Sequence, residues 1–86
     1  MIMMKVKFEN SVKEVELLRE RPSNDTLLQL YALFKQSTLG DNTNTPPENP
    51  FDFVAKAKHE AWLALAGKSM EQAMQEYVDL VEKLKS

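Results

Sequence analysis

The segment from Pro22 to Gly40 constrains the fold most, because it carries a start signal, an end signal and helical periodicity between them. The three short polar residues after the proline can each accept a hydrogen bond from a free backbone N–H of a first helical turn. Gly40 stands where helices commonly end in a left-handed residue. Two neighbouring stripes have three- and four-residue spacings: Leu27, Leu30 and Phe34, then Leu28, Tyr31 and Lys35. The pattern predicts one amphipathic helix over residues 24–39.

The second stripe of this helix is chemically unusual. Tyr31 and Lys35 lie one turn apart, so a phenol and an ammonium project from the same side. A phosphate group is bound by such donors, a lysine point charge and a hydroxyl that can turn toward an oxygen. The alternative is an exposed lysine beside a half-buried tyrosine with no ligand, which is the commoner arrangement on helices. Spacing alone does not decide between the two.

Three further segments show helical periodicity, and no segment shows the alternation typical of a strand. We expect helices over about residues 5–20, 51–65 and 69–84. Residues 40–50 join the second helix to the third, and their three prolines exclude regular structure. Because a two-residue turn would make neighbouring helices antiparallel, this longer connection lets the third helix start from the far end. The sequence predicts an all-α bundle in one domain, residues 1–86.

Composition argues against several functional classes. The chain has no cysteine, and its single histidine, His59, has no second histidine or serine elbow nearby to suggest a metal site or a triad. A net charge of −2 argues against nucleic-acid binding. No apolar run approaches the ~20 residues that span a bilayer, and the apolar start is too short for a secretory signal. We therefore expect a non-enzymatic, cytoplasmic protein without stable membrane insertion.

Two motifs carry a resemblance to a known family. The first is P-S-N-D-x-L-x-x-L-Y-A-x-F-K-Q-S-T-x-G from Pro22 to Gly40, and the second is D-F-x-x-K-A-K-x-x-A-W from Asp52 to Trp62. Both closely resemble the acyl-CoA-binding protein family, and the similarity covers about residues 8–85. It implies an up-down-down-up four-helix bundle that binds medium- to long-chain acyl-CoA esters without catalysis, as an intracellular carrier and pool buffer. It also implies a monomer without a cofactor, in transient contact with acyl-CoA-using enzymes.

The resemblance also implies roles for particular residues. Tyr31, Lys35 and Lys58 match the positions that hold the ligand's phosphates, and Lys56 is a weaker candidate. The other implied ligand contacts are Tyr77 at the adenine or ribose, Phe34 at a position that the family fills with phenylalanine or tyrosine, and Leu28, Leu30 and Val12 along the acyl chain. Helical periodicity does not distinguish a groove from a core at the last three. Without the resemblance, Lys58 one turn before Trp62 indicates a cation–π pair or a lysine stem over a packed indole.

Two residues depart from the family pattern. Glu16 stands where the family often has a lysine that assists the ligand phosphates, and a carboxylate there would repel them. His59 stands where the family usually has tryptophan, and we expect a structural or surface role for it. A second functional hypothesis remains open at this point: a helical protein-interaction module that uses the same apolar groove for a partner helix.

Overall fold

The computed structural model describes residues 2–86 and contains four helices and no strand within that range. The helices are α1 (Ile2–Glu16), α2 (Asn24–Leu39), α3 (Phe53–Leu63) and α4 (Met70–Lys85). This confirms the predicted all-α class. Within the described residues, no helix is long and apolar enough to cross a bilayer.

Contacts between helix ends establish the direction of each helix. Lys85 at the end of α4 reaches Glu14 near the end of α1, with 3.1 Å between Nζ and Oε2, so α1 and α4 run parallel. Trp62 near the end of α3 donates to Gln36 near the end of α2, so α2 and α3 are also parallel. Gln36 donates to the carbonyl of Lys68, just before α4, so α2 and α4 are antiparallel. The order is therefore up-down-down-up, as expected.

The core lies between α1, α2 and α4. It is formed by the buried side chains Phe8, Leu30, Leu33, Ala73, Tyr77 and Val81. Among the described helices, α4 packs against both α1 and α2, whereas α3 packs against α2 alone. Only Trp62 of α3 is fully buried. Because α3 is held on one side, its placement depends on α2 and on the two connections that flank it.

Side chains cap three of the helices. Ser23 Oγ accepts from the Thr26 N–H at the start of α2, and Ser69 Oγ accepts from the Gln72 N–H at the start of α4. At the start of α3, a carboxylate oxygen of Asp52 accepts from a backbone N–H at 3.0 Å. Each cap satisfies a donor that the first helical turn leaves free. These caps fix where the helices begin.

The bounds of α1 and α3 differ from the predicted ones. The prediction placed α1 over residues 5–20, but it ends at Glu16, where Leu17 and Leu18 donate to carbonyls three residues back and tighten the last turn. The prediction placed α3 over residues 51–65, but Asp52 is its cap, and its end tightens in the same way after Leu63. The prolines and glycines of the sequence therefore predicted where the helices are connected, but they located the last residue of a helix only approximately.

One buried glutamine joins several segments at the far end of α2. Gln36 is fully buried, and its Nε2 donates to Asp41 Oδ1 and to the Lys68 carbonyl, both at 2.8 Å. Its Oε1 accepts from Trp62 Nε1 at 3.1 Å, and the same indole N–H also donates to the Gly40 carbonyl at 2.9 Å. We call these contacts the Gln36 network. It ties α2 to the loop that follows it, to α3 and to the segment before α4.

The connection between α2 and α3 is fixed to α3 by a second polar contact. Asn42 is buried, and its Nδ2 donates to the backbone carbonyl of His59 at 3.2 Å and lies 3.2 Å from the ring Nδ1. The side-chain Oδ1 of Asn42 accepts from the Asn44 N–H at 2.9 Å. His59 therefore has a structural contact in the described structure, holding a long loop against α3.

Candidate functional site

A tyrosine ring lies near two lysines, one on its own helix and one on the neighbouring helix. The Lys35 Nζ is 5.7 Å from the centroid of the Tyr31 ring, and the Lys58 Nζ is 5.2 Å from the same centroid. Within residues 2–86, neither ammonium group forms a salt bridge. We call Tyr31, Lys35 and Lys58 the cationic cluster. Two positive charges near one phenol, without a carboxylate to neutralise them, form an arrangement suited to binding an anion.

The lysines meet aromatic rings of the neighbouring helix. Spacing alone offered Lys58 over Trp62, one turn along the same helix, as the alternative to a phosphate contact. Instead, Lys58 lies over Tyr31 of α2, and the Lys35 Nζ lies 5.9 Å from the Trp62 ring of α3. Both contacts cross between helices, because α2 and α3 run parallel and adjacent. The α2–α3 packing therefore assembles the cationic cluster.

An apolar groove opens between α2 and α3 next to the cationic cluster. Its volume is about 600 Å³, within the usual size of small-molecule sites. Its apolar lining consists of Leu27, Leu28, Phe53, Val54 and Ala57. Tyr31, Lys58 and Arg21 also line it, so the groove and the cluster share residues. An amphiphile with an anionic end and an apolar chain matches this combination.

The structure shows which of three apolar residues line the groove and which belong to the core, a distinction that helical periodicity does not make. Leu28 lines the α2–α3 groove and a second hollow of about 250 Å³ on the same helix. Leu30 is only 5% exposed and belongs to the core, and Val12 packs against that core from α1. Of the three residues predicted to contact an acyl chain, Leu28 alone lines the groove.

A second group of aromatic side chains joins α1, α2 and α4. Phe8 stacks against Phe34, with ring centroids 5.9 Å apart, and meets Tyr77 edge-on at 5.1 Å. We call these three rings the aromatic cluster. Phe34 is 36% exposed and directly precedes Lys35, so it lies next to the cationic cluster, whereas the Tyr77 ring is buried in the core. The predicted site residues therefore form two adjacent groups.

The phenol of Tyr77 lies in buried surroundings, since the residue as a whole is only 4% exposed. Burial raises the pKa of Tyr77, and the negative charge of Glu16 raises it further. Glu16 at the end of α1 thus acts electrostatically on the aromatic cluster.

The family model described as acyl CoA binding protein matches residues 5–81. The chain belongs to the acyl-CoA-binding protein family. The acyl-CoA-binding protein homolog of Drosophila melanogaster is 48% identical over 95% of this chain and 94% of that protein. The crystal structure of Oryza sativa acyl-CoA-binding protein 2 covers 94% of this chain and 89% of its own, with a TM-score of 0.87 and 36% identity.

Enzymes also occur among the relatives. Enoyl-CoA delta isomerase 2 of Rattus norvegicus is 51% identical over 92% of this chain, but the chain spans only 20% of that protein's length. The similarity therefore concerns a segment of the isomerase that is about as long as this chain.

The structure places one other candidate away from the cationic cluster. Lys56 is exposed and borders a hollow beside Pro46, Pro47 and Pro50 rather than the α2–α3 groove. Within residues 2–86, no group of three or more metal-ligating side chains is arranged to hold an ion.

Sequence reasoning missed three residues that border the site. Trp62 lies near Lys35, Phe8 stacks on Phe34, and Arg21 lines the groove while donating to Asn24 Oδ1 at 3.2 Å. Phe8 is buried on α1, but the periodicity of one helix does not show which residues of other helices face it. Arg21 stands just before the first family motif and belongs to neither motif.

Proposed function

We propose that residues 1–86 form one domain that binds medium- to long-chain acyl-CoA esters without catalysis, as an intracellular carrier and pool buffer. The observation that carries the proposal is the cationic cluster at the edge of the α2–α3 groove. An acyl-CoA ester requires both features, since it joins several phosphate groups to a long apolar chain. Membership of the acyl-CoA-binding protein family supports the same ligand.

In this proposal the cationic cluster holds the phosphate end. Lys35 and Lys58 supply the two charges, and the Tyr31 hydroxyl supplies a neutral donor between them. Within residues 2–86 the ammonium groups form no salt bridge and lie over ring faces. Exchanging a cation–π contact for a phosphate oxygen replaces a weak partner with a strong, charge-assisted one. Lys56 contributes at most through long-range attraction.

The aromatic cluster receives the nucleotide. Phe34 is partly exposed and rigidly backed by Phe8, so its free surface offers adenine an apolar contact. The Tyr77 hydroxyl provides a donor or acceptor for the adenine or ribose. Both residues lie within one aromatic cluster next to Lys35, which suits a base linked to phosphates.

The α2–α3 groove receives the acyl chain, with Leu28 as a contact. Each methylene that leaves water contributes about 0.8 kcal/mol. The groove therefore distinguishes an acyl ester from free CoA by burial alone. Leu30 and Val12 are not included, because both belong to the core.

The proposed carrier is a cytoplasmic monomer that meets acyl-CoA-using enzymes transiently. The absence of cysteine and the fixing of His59 by Asn42 support a binding role over a catalytic one. The isomerase activity named for one relative is not included, since this chain spans a fifth of that protein.

Isothermal titration with palmitoyl-CoA, free CoA and palmitate, each against the parent protein, tests the proposal. We expect tight one-to-one binding of the thioester and much weaker binding of both fragments, because one site contacts phosphates and chain together. Absence of heat and of competition with all three would contradict the proposal. Equal affinity for palmitate and palmitoyl-CoA would contradict the role of the cationic cluster.

Replacing Glu16 by lysine is expected to tighten palmitoyl-CoA binding about three- to tenfold, since a screened surface attraction would replace a repulsion. The same change should lower the pKa of Tyr77, because Glu16 now raises it. Titration calorimetry measures the first effect, and ultraviolet titration of the phenol measures the second.

Glu9→Lys is the matched control for Glu16→Lys. It makes the same charge change at an exposed position of α1, about two turns earlier. A Glu9→Lys protein with an equal gain in affinity would show that net charge, and not the position of Glu16, limits binding.

A further inference from the structure

Polar side chains line both ends of the α2–α3 groove. Tyr31 and Lys58 lie at one end, and Arg21 and Asn24 lie at the other, where α2 begins. Because α2 and α3 run parallel, α3 also begins at the Arg21 end. Asn24 and Tyr31 are about 10.5 Å apart along α2, and apolar side chains line the groove between them. The groove is therefore a short apolar channel with a cation at each end.

The guanidinium group of Arg21 has donors without a protein acceptor. Its Nη1 donates to Asn24 Oδ1 at 3.2 Å and to the Pro22 carbonyl at 3.5 Å. Both acceptors are neutral, and Arg21 forms no salt bridge within residues 2–86. The N–H groups on Nε and Nη2 donate to no protein atom in the same range. That edge of the guanidinium group is the fork that binds a carboxylate through two parallel hydrogen bonds.

Acidic side chains surround this end of the groove without lining it. Glu20, Asp25 and Asp52 are exposed next to lining residues in the chain, and the Asp52 carboxylate caps α3 while keeping its charge. Among the described residues, no acidic side chain lines the groove itself. The surroundings of Arg21 are therefore not cationic as a whole, and long-range attraction does not favour an anion there. Direct contact with the guanidinium group is what can hold one.

The acyl chain of the proposed ligand runs toward Arg21. The phosphate end occupies the cationic cluster, so the chain extends from Tyr31 and Lys58 through the apolar channel. A chain that ends in a methyl group gains nothing from a guanidinium group. A chain that ends in a carboxylate is disfavoured by an apolar groove, because desolvating an unpaired charge is unfavourable. Arg21 supplies the partner that such a charge requires.

We propose that Arg21 determines chain specificity, by allowing the groove to accept acyl chains that end in a carboxylate. The ligands of this class are the coenzyme A monothioesters of dicarboxylic acids. This inference rests on the proposed function and deepens it, since the phosphates keep the cationic cluster and the terminal carboxylate binds Arg21. The contact depends on chain length, because Arg21 is fixed at the start of α2 and a shorter chain does not reach it.

Titration calorimetry with two esters of equal chain length tests the proposal. Dodecanoyl-CoA ends in a methyl group, and dodecanedioyl-CoA ends in a carboxylate. The quantity compared between proteins is the affinity for dodecanedioyl-CoA divided by the affinity for dodecanoyl-CoA. Arg21→Gln is expected to lower this ratio about three- to tenfold, because glutamine is polar but cannot neutralise a carboxylate. The acidic residues nearby would then repel the terminal carboxylate without opposition.

Arg19→Gln is the matched control. Arg19 is exposed two residues before Arg21 and does not line the groove, so this variant should keep the ratio of the parent protein. The terminal methyl ester of dodecanedioyl-CoA is the control ligand. It removes the charge, so its affinity relative to dodecanoyl-CoA should be the same in the parent protein and in Arg21→Gln.

Chain length provides a second test on the parent protein. Octanedioyl-, dodecanedioyl- and hexadecanedioyl-CoA are each compared with the monocarboxylic ester of the same length. The ratio should change along this series, because only some chains place the carboxylate at Arg21. A merely structural role of Arg21 at the start of α2 would not produce this dependence.

Several results would overturn the role of Arg21. They are no binding of dodecanedioyl-CoA by the parent protein, an unchanged ratio in Arg21→Gln, an equal fall of the ratio in Arg19→Gln, and one ratio at every chain length. Binding of dodecanoyl-CoA together with any of these would leave the proposed carrier function intact. Failure of the parent protein to bind dodecanoyl-CoA and palmitoyl-CoA would overturn both proposals.

Discussion

A protein carrying both Lys35→Ala and Lys58→Ala is expected to bind palmitoyl-CoA about a hundred- to a thousandfold more weakly than the parent. Each charge-assisted bond contributes about 1.5–3 kcal/mol. Solvent screening reduces the sum, so about 3–4 kcal/mol is the expected loss for the pair. Lys35→Ala alone should lose about 1.5–3 kcal/mol. Titration calorimetry at one ionic strength measures both.

The free energy of unfolding should fall by less than the free energy of binding in this double variant. Within residues 2–86 the two ammonium groups form no salt bridge and lie near the rings of Tyr31 and Trp62, and exposed contacts of that kind are worth about 0.5–1 kcal/mol each. Loss of binding without loss of the fold therefore separates a ligand role from a structural one. Repeating the titration at higher salt should show a weaker salt dependence for the variant, since two charges are missing.

The matched control removes two lysines from elsewhere. Lys7→Ala with Lys13→Ala makes the same change in net charge at exposed positions of α1. This control should retain nearly the full affinity of the parent. If it lost as much as the cluster variant, attraction by the whole surface would account for binding. If the cluster variant bound palmitoyl-CoA as tightly as the parent, the assignment of Lys35 and Lys58 would be wrong.

The sequence predicted those features of the fold that are determined by residues close together along the chain. The bounds of α2 follow from Ser23 and Gly40, whose capping and positive φ of 79° act within one turn. The end of α1 was misplaced because Pro22 restricts only the residue before it and says nothing about where an earlier turn tightens. The order of the helices came from the resemblance, and the contacts between helix ends confirm it.

The candidate site shows the same division between local and distant information. The approach of Lys35 to Tyr31 follows from their spacing on one helix. The meeting of Lys58 with Tyr31 and of Lys35 with Trp62 requires the parallel packing of α2 on α3, which periodicity does not contain. For the same reason, the two stripes of α2 could not show that Leu28 lines a groove, because the groove forms only when α3 packs beside them.

Replacing Gln36 by leucine is expected to lower the free energy of unfolding by about 2–4 kcal/mol. The side chain is fully buried and makes hydrogen bonds to Asp41, the Lys68 carbonyl and Trp62. Leucine has a similar size but none of these polar atoms, so the partners lose their bonds while the cavity stays filled. Trp62 retains its bond to the Gly40 carbonyl, which limits the loss. Urea unfolding at equilibrium measures it, with an unchanged slope indicating an intact unfolded reference state.

Gln29→Leu is the control for this change, because Gln29 is exposed on the same helix and surface changes usually stay within about 0.5 kcal/mol. Asp41 gives a second check. Hydrogen bonds from the Gly67 N–H and then from Gln36 lower the pKa of its carboxyl group, so loss of Gln36 should raise that pKa toward its ordinary value. If Gln36→Leu were as stable as the parent, the Gln36 network would not hold the ends of α2, α3 and α4 together. The position of Lys58 against Tyr31 would then depend on the α2–α3 packing and the Asn42–His59 contact alone.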